Sequence, residues 1–437
     1  MAANYAQKVA ILAIAASAVA VVFALLIIPY LTTTALQPEQ EYRRIVTLDT
    51  KYDFKFRQMV TSVDYIRPGD MDPNSFRWFL DPFGKTMEGS STIGIMPKPG
   101  MRLNQSDWSI SDDIEAFELY SIIRLPDYAG GSRDDLQSYK AYNAISISDH
   151  CISKYWPQEG RMHMENPCAG DIYRAWDGVA IAGPAAGGVS GGGIVSSGSF
   201  SALASLDLTV DSEGYITAKR PDISNTANGI PGEGRRLSFQ DIRDSNTRML
   251  EAASSFSGYE LPFPPTVGGE YYLAELRPAY SVNLEHDPSA VLEAVYSSNP
   301  GGVTAMFEAV VMDAYRLSEF PEFALDSPVM VHEKIDLSAP DPAGEMSKLN
   351  RKSIDSLLHL EWFDNTGGMD RTTRIVSGDG YFGFLVGLQE IKPNEPAGGG
   401  AVVWLDPREG RFETLVTVRA ASMGLDDLAE LVKSLGG

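Results

Sequence analysis

Four side chains able to bind a soft metal, or each other, lie between positions 150 and 168: His150, Cys151, His163 and Cys168. The two cysteines are the only ones in the chain. Two chemistries compete for them, a disulfide and a tetrahedral zinc site with two nitrogen and two sulfur ligands. The spacing favours the disulfide. His150 and Cys151 are adjacent, and neighbours on a strand point to opposite faces, so they share one ion only on an irregular turn. Little else in the sequence has a catalytic pattern. His332 and His359 stand alone on expected strands, the setting of a hydrogen-bonded structural histidine. The glycine-rich run from Gly187 to Gly198 has no Gly-Lys-Ser/Thr ending and no βαβ frame, so it reads as a flexible surface loop and not a phosphate cradle. Its near match to Gly-x-Ser-x-Gly has no strand-to-helix elbow.

The text around the cysteines carries more than their spacing does. Asn166-Pro167-Cys168-Ala169-Gly170-Asp171-Ile172-Tyr173 is followed by Asp177-Gly178 and then by Gly183-Pro184-Ala185. This resembles the second cluster loop of Rieske iron–sulfur proteins, which reads Cys-Pro-Cys-His-Gly-Ser-x-Tyr/Phe and continues to a Gly turn and Gly-Pro-Ala. The stretch Ala144 to Cys151 is similar to the first loop, Cys-x-His-x-Gly-Cys, with Cys151 as its last residue.

A Rieske centre holds its two irons with two thiolates and two imidazoles, one of each from either loop. In this register the first loop's ligand positions are Ser146 and Ser148, and the second loop's are Asn166 and Ala169. None of the four offers a thiolate or an imidazole. In bc-complex members a further cysteine from each loop forms a disulfide that clamps the loops, and Cys151 and Cys168 match those positions. The resemblance therefore implies a Rieske fold that has kept its disulfide and lost its cluster, with no metal and no cofactor.

The elements that must position these tips follow from pattern. Phe76–Leu80, Ser91–Met96, Glu115–Leu125 and Tyr139–Ile147 read as strands between Gly and Pro punctuation. Leu206–Ala218 resembles the closing hairpin of Rieske domains, with Ser212–Gly214 as its turn. The expected architecture is mainly β, a Rieske-like antiparallel domain over 66–222. It is preceded by linker and first strands at 32–65, including Arg44–Leu48 and Phe54–Phe56. A Gly-, Asn- and Pro-rich linker at 223–237 leads to a C-terminal α+β domain with an antiparallel sheet over 238–437. That domain opens on a capped helix from Ser238. Two more helices are expected at Asp287–Ser297 and Val303–Ser318, from apolar residues three and four apart. Strands follow at 328–335, 356–363, 371–376, 380–386, 401–405 and 412–419, and a last helix at 424–435.

Ahead of all this, Val9 to Leu31 is an uncharged apolar run of 23 residues, enough to cross about 30 Å of hydrocarbon as one N-terminal transmembrane helix. Thr33-Thr34-Ala35 leaves signal-peptide cleavage as the alternative. A disulfide needs an oxidising compartment, which puts the large domain on the extracytoplasmic side of the cell membrane. The formal net charge of −22 argues against nucleic acid and anionic lipid as partners for the bulk of the chain. A single anchor before an exported domain is also the layout of Rieske subunits. The resemblance then implies a non-catalytic, structural or assembly role beside other subunits of a respiratory, cytochrome bc-type complex. Electron transfer through unusual ligands, and a cell-surface binding or sensing module, are the competing readings.

Overall fold

The computed structural model describes residues 42–48, 51–53, 58–60, 63–83, 119–131, 135–149, 151–157, 162–186, 199–219, 234–268, 271–279, 290–297, 310–323, 371–378, 380–388, 398–408, 411–420 and 423–436. Several expectations lie outside them: the apolar run at 9–31, His150, His332, His359, the glycine-rich loop, and the strands at 54–56, 91–96, 328–335 and 356–363. No helix among the described residues is long and apolar enough to cross a membrane.

The chain from Arg44 to Gly437 forms one compact unit, mainly β, whose described strands pair antiparallel. Strands β1 (Val46–Leu48), β2 (Val63–Tyr65), β3 (Ser75–Leu80), β4 (Leu119–Arg124) and β5 (Tyr139–Asn143) make a five-stranded sheet in the order β2-β1-β3-β4-β5. Strand β4 is buried along its whole length, hence its unbroken Leu-Tyr-Ser-Ile-Ile-Arg text.

Next comes a four-stranded meander of β6 (Lys154–Trp156), β7 (His163–Asn166), β8 (Asp171–Arg174) and β9 (Ala180–Ala182). The β7–β8 turn, Pro167–Gly170, carries Cys168. Strand β10 (Ser199–Ala202) is paired later by β13 (Arg235–Ser238), so Arg235 and Arg236 belong to a strand and not to the expected linker. Between them β11 (Leu208–Val210) and β12 (Ile216–Lys219) form the expected closing hairpin.

Helix α1 (Phe239–Ser257) starts where the sequence puts it. The Ser238 hydroxyl accepts from the Asp241 N–H, the Asp241 carboxylate accepts from the Ser238 N–H, and Gly258 ends the helix in the left-handed region. The second half of the chain is an eight-stranded sheet built from β14 (Thr266–Val267), β15 (Tyr271–Pro278), β16 (Val291–Ser297), β17 (Val310–Arg316), β18 (Arg371–Gly378), β19 (Tyr381–Leu388), β20 (Gly399–Arg408) and β21 (Arg411–Ala420). Its order is β14-β15-β16-β17-β21-β20-β19-β18, and helix α2 (Leu425–Leu435) packs on its β18–β20 end.

Strands β16 and β17 correct two expectations, since they occupy the ranges read as helices. Both are central and covered on both faces. Leu292, Ala294 and Tyr296 join the larger core with Met312, Val403 and Val416, while Val291 joins Tyr315, Phe384, Trp404 and Leu415 on the other side. Burial on both faces puts apolar residues at adjacent positions, such as Val291 and Leu292, so the runs lose strand alternation and take on apolar spacings of three and four.

The larger core is continuous from the meander into the sheet. It joins Tyr155, Tyr173 and Trp176 to Met249 and Leu250 of α1 and to Leu273 and Leu292 beyond. The loop tips thus sit on a broad rigid base.

Candidate functional site

Each tip is shaped by its own backbone bonds. In the first, the Ser146 N–H donates to the Cys151 carbonyl at 2.8 Å, the Ser153 N–H donates to the Ala144 carbonyl at 2.8 Å, and Ile145 and Ile152 bridge. The Asn143 side chain accepts from the Ile145 N–H, and Asp149 accepts from the Cys151 N–H. In the second, Gly170 takes φ +77° and donates to the Asn166 carbonyl, closing the turn that presents Cys168. Asn166 accepts the Cys168 N–H on its side-chain oxygen at 2.9 Å. The tips are joined by the Cys151–Cys168 disulfide, with Cα atoms 6.3 Å apart.

Three of the four residues at the family's ligand positions meet on one atom. Asp171 Oδ2 accepts from Ser146 Oγ at 2.7 Å, from Asn166 Nδ2 at 3.0 Å, and from Ser148 Oγ. Its other oxygen accepts the Ala185 N–H at 2.7 Å. Ala169, at the fourth position, lies half-buried on the turn. Ser146, Asn166 and Asp171 are fully buried. Among the described residues no ion pair reaches Asp171, so hydrogen-bond donors alone replace its lost hydration.

Tyr173 adds its hydroxyl 2.9 Å from Ser146 Oγ, and the Ile147 N–H reaches the same oxygen. Burial, then the Asp171 carboxylate, pushes that phenol well above its ordinary value, so it stays protonated. Gly183, at φ +81°, lets the Gly-Pro-Ala segment approach: a Cβ there would stand 2.7 Å from the Asp171 Cα.

This donor set does not fit an iron–sulfur cluster. The ligand positions hold two hydroxyls, an amide and a methyl, and the polar three are already bonded to a carboxylate from the protein itself. The zinc reading fares no better among the described residues. His163 is buried with Nε2 3.6 Å from Glu275 Oε1, at the opposite end of β7 from the turn that carries Cys168. Asp149, Cys151 and Cys168 do come within 4.8 Å of one another, but both sulfurs are spent in the disulfide. A closed set of hydrogen bonds of this kind holds the two tips in a defined shape.

Sequence reasoning passed over Asp171 itself. The one signal was that the family loop carries serine where this chain has the longer acid, just after the Gly of the turn. It also missed Arg174, fully buried at the far end of β8. Arg174 Nε donates to Asp177 Oδ1 at 3.0 Å, and its guanidinium also meets Asp177 Oδ2, Asn246 Oδ1 of α1 and the Leu273 carbonyl of β15. The same group lies 4.6 Å from the Trp176 ring centroid. One side chain therefore bonds the meander to both the helix and the large sheet.

A second polar group crosses that sheet in register. Arg277 faces Glu293, Glu293 faces Asp313, and Asp313 faces Thr417 on successive strands. Arg419 pairs with Asp313 at 3.1 Å and with Glu293 at 3.2 Å. Burial raises the Asp313 carboxyl to about 7; the Arg419 charge opposes that rise and the Glu293 carboxylate adds to it.

Comparison with known proteins leaves the chain with slight likenesses. No family model matches it, and no curated protein matches it. Solved structures that share some of its shape include the quaternary ammonium Rieske monooxygenase CntA in complex with L-carnitine, at 9% identity and a TM-score of 0.17. That match covers 72% of this chain and 66% of the monooxygenase, so the chain spans just under two thirds of that protein. The terminal oxygenase of carbazole 1,9a-dioxygenase from Novosphingobium sp. KA1 matches at 9% identity and a TM-score of 0.16, over 72% and 70% of the two chains. Overlap this slight says nothing of activity or substrate, and the site reading rests on the geometry of the tips alone.

Proposed function

We propose that this chain is a Rieske-like subunit without a 2Fe–2S cluster, acting as structure or assembly factor in a membrane complex of the electron-transport, cytochrome bc type. The observation that supports it most is the convergence of Ser146, Ser148 and Asn166 on the buried Asp171 carboxylate beneath a disulfide clamp. The loops keep a defined shape while the groups that would carry an electron are absent. In this reading residues 9–31 anchor the chain in the cell membrane, and the disulfide-bearing part lies on the extracytoplasmic side.

Two measurements test it. Iron and acid-labile sulfide in the purified, mildly solubilised chain should be far below one cluster per molecule, with no Rieske-type visible absorption. Stoichiometric iron with that absorption would establish electron transfer through unusual ligands and overturn the reading. Cytochrome b and c partners should co-purify from membranes; their absence would favour a surface binding module. One observation favours that second reading, a cleft of about 870 Å³ beside α1, lined by Lys140, Trp176, Asp241 and Met249 among others.

A further inference from the structure

The cleft beside α1 opens between that helix, strand β5 and the segment around Leu206. Lys140 of β5 lines it, and strand alternation makes that position unusual. Tyr139 and Ala141 turn to the core that holds Phe79 and Ile122. Lys140 takes the opposite face, with Ile123 as its partner across the ladder and Tyr142 next but one along the strand. Ile123 and Tyr142 both belong to the larger core, with Met249 of α1. A lysine therefore stands on the strand face that its neighbours give to apolar packing. It is half-buried, and it makes no hydrogen bond or ion pair among the described residues.

The charges around the cleft are mixed in sign, and their placement decides what Lys140 meets. Asp207, Asp241, Asp244 and Glu251 are exposed, so water and salt screen them. Asp241 also bonds Ser238, and Asp244 bonds Gln240. Among the carboxylates that line the cleft only Asp177 is buried, and its oxygens accept from Arg174 and from the Val179 N–H. Loss of water, then repulsion from Arg248, lowers the Lys140 ammonium from its ordinary value; Asp177 pulls the other way and Arg235 adds to the fall. Desolvation and a neighbouring cation are the two influences that bring a lysine toward its free amine, and so toward a nucleophile. Leu125, Leu206 and Trp176 give the cleft apolar walls.

We propose that Lys140 is a nucleophilic amine that captures a small aldehyde or ketone with an apolar body in this cleft, as an imine. The Nζ lone pair attacks the carbonyl carbon, a C–N bond forms, and the carbonyl π pair moves to oxygen. Both amine protons end on that oxygen, which leaves as water when the C–O bond breaks and the C=N bond forms. Nothing is oxidised or reduced. A cleft of this volume, with apolar walls and a few polar groups, is of the kind that holds small ligands.

The test is brief exposure of the full, folded chain to benzaldehyde, followed by borohydride, which reduces an imine to a stable benzylamine, and peptide mass spectrometry to locate the adducts. Lys433 of α2 is the internal comparison, since it is exposed and its bond to the Glu430 carboxylate holds its ammonium above the ordinary value. At about pH 7 Lys140 should be labelled severalfold faster than Lys433, and the gap should narrow at about pH 10, where exposed lysines also lose their proton. Unfolding in urea should abolish the difference, because it removes the cleft. Arg248 is exposed on α1, so its replacement leaves the packing in place. Arg248→Gln should slow labelling of Lys140 at about pH 7 and leave it unchanged at about pH 10, the signature of a lost charge and not of a lost fold. The proposal falls when Lys140 of the folded chain is labelled no faster than Lys433 at about pH 7, or when its advantage persists in urea. Unchanged labelling in Arg248→Gln would overturn the part given to that charge. These readouts are independent of iron content and of co-purifying cytochromes.

Discussion

Asp171 is the residue on which the tips depend. It is a fully buried carboxylate that accepts from two hydroxyls, one amide and one backbone N–H. Asp171→Asn keeps the size but turns one acceptor into a donor facing donors. We expect a loss of about 3 kcal/mol, because charge-assisted bonds are lost and buried donors are left unpaired; urea unfolding measures it, and an unchanged midpoint would count against the knot. Arg174 is a parallel case at the other end of β8. Arg174→Met leaves Asp177 buried and unpaired, and should cost about 3–5 kcal/mol, more than an exposed ion pair ever does. The double variant Arg174→Met/Asp177→Leu should recover much of that loss, as replacing both members of a buried pair tends to do.

At the scale of elements, the disulfide and the turn glycines decide how far apart the tips can move. Cys151 and Cys168 are 17 residues apart in sequence. Closing a loop of that length restricts the unfolded chain by about 3 kcal/mol on the chain-entropy argument. Reduction should therefore lower the melting temperature of the wild type, and should do nothing to Cys151→Ala/Cys168→Ala. A gain-of-function experiment probes the register itself. Ser146→Cys, Ser148→His, Asn166→Cys and Ala169→His, with Asp171→Ser to remove the competing carboxylate, should let the tips take up iron and sulfide with Rieske-type absorption. Failure of a well-folded variant to do so would show that the tips are not spaced as cluster loops.

For the whole molecule, the register ladder across the large sheet makes stability depend on pH. Asp313 has a folded-state pKa raised from 3.8 to about 7, so between those values the native state holds a proton that the unfolded state has released. Stability from this group therefore falls as pH rises through that window, the reverse of the usual salt-bridged carboxylate. Thermal melts should give a negative contribution to the slope of Tm against pH between about 4 and 7, and Asp313→Asn should remove it and raise Tm at pH 8. A slope unchanged in the variant would move the origin elsewhere.

Local chemistry made part of this protein legible without coordinates. The Ser238 cap, the Ser212–Gly214 hairpin, the strands at β18 to β21 and the pairing of the two cysteines follow from patterns that act over a few residues. The identities of Ser146, Ser148, Asn166 and Ala169 likewise fix what each can bond, since a side chain's ligand chemistry travels with it. Other features depended on what lay across space. Strands β16 and β17 were hidden because double-sided burial erases the alternation that marks a strand. Asp171 as the centre of the knot and Arg174 as the bond between meander, helix and sheet join residues far apart in sequence. Sequence sets which groups are present and what each can bond; only the packed chain decides which of them lose water together and must satisfy one another.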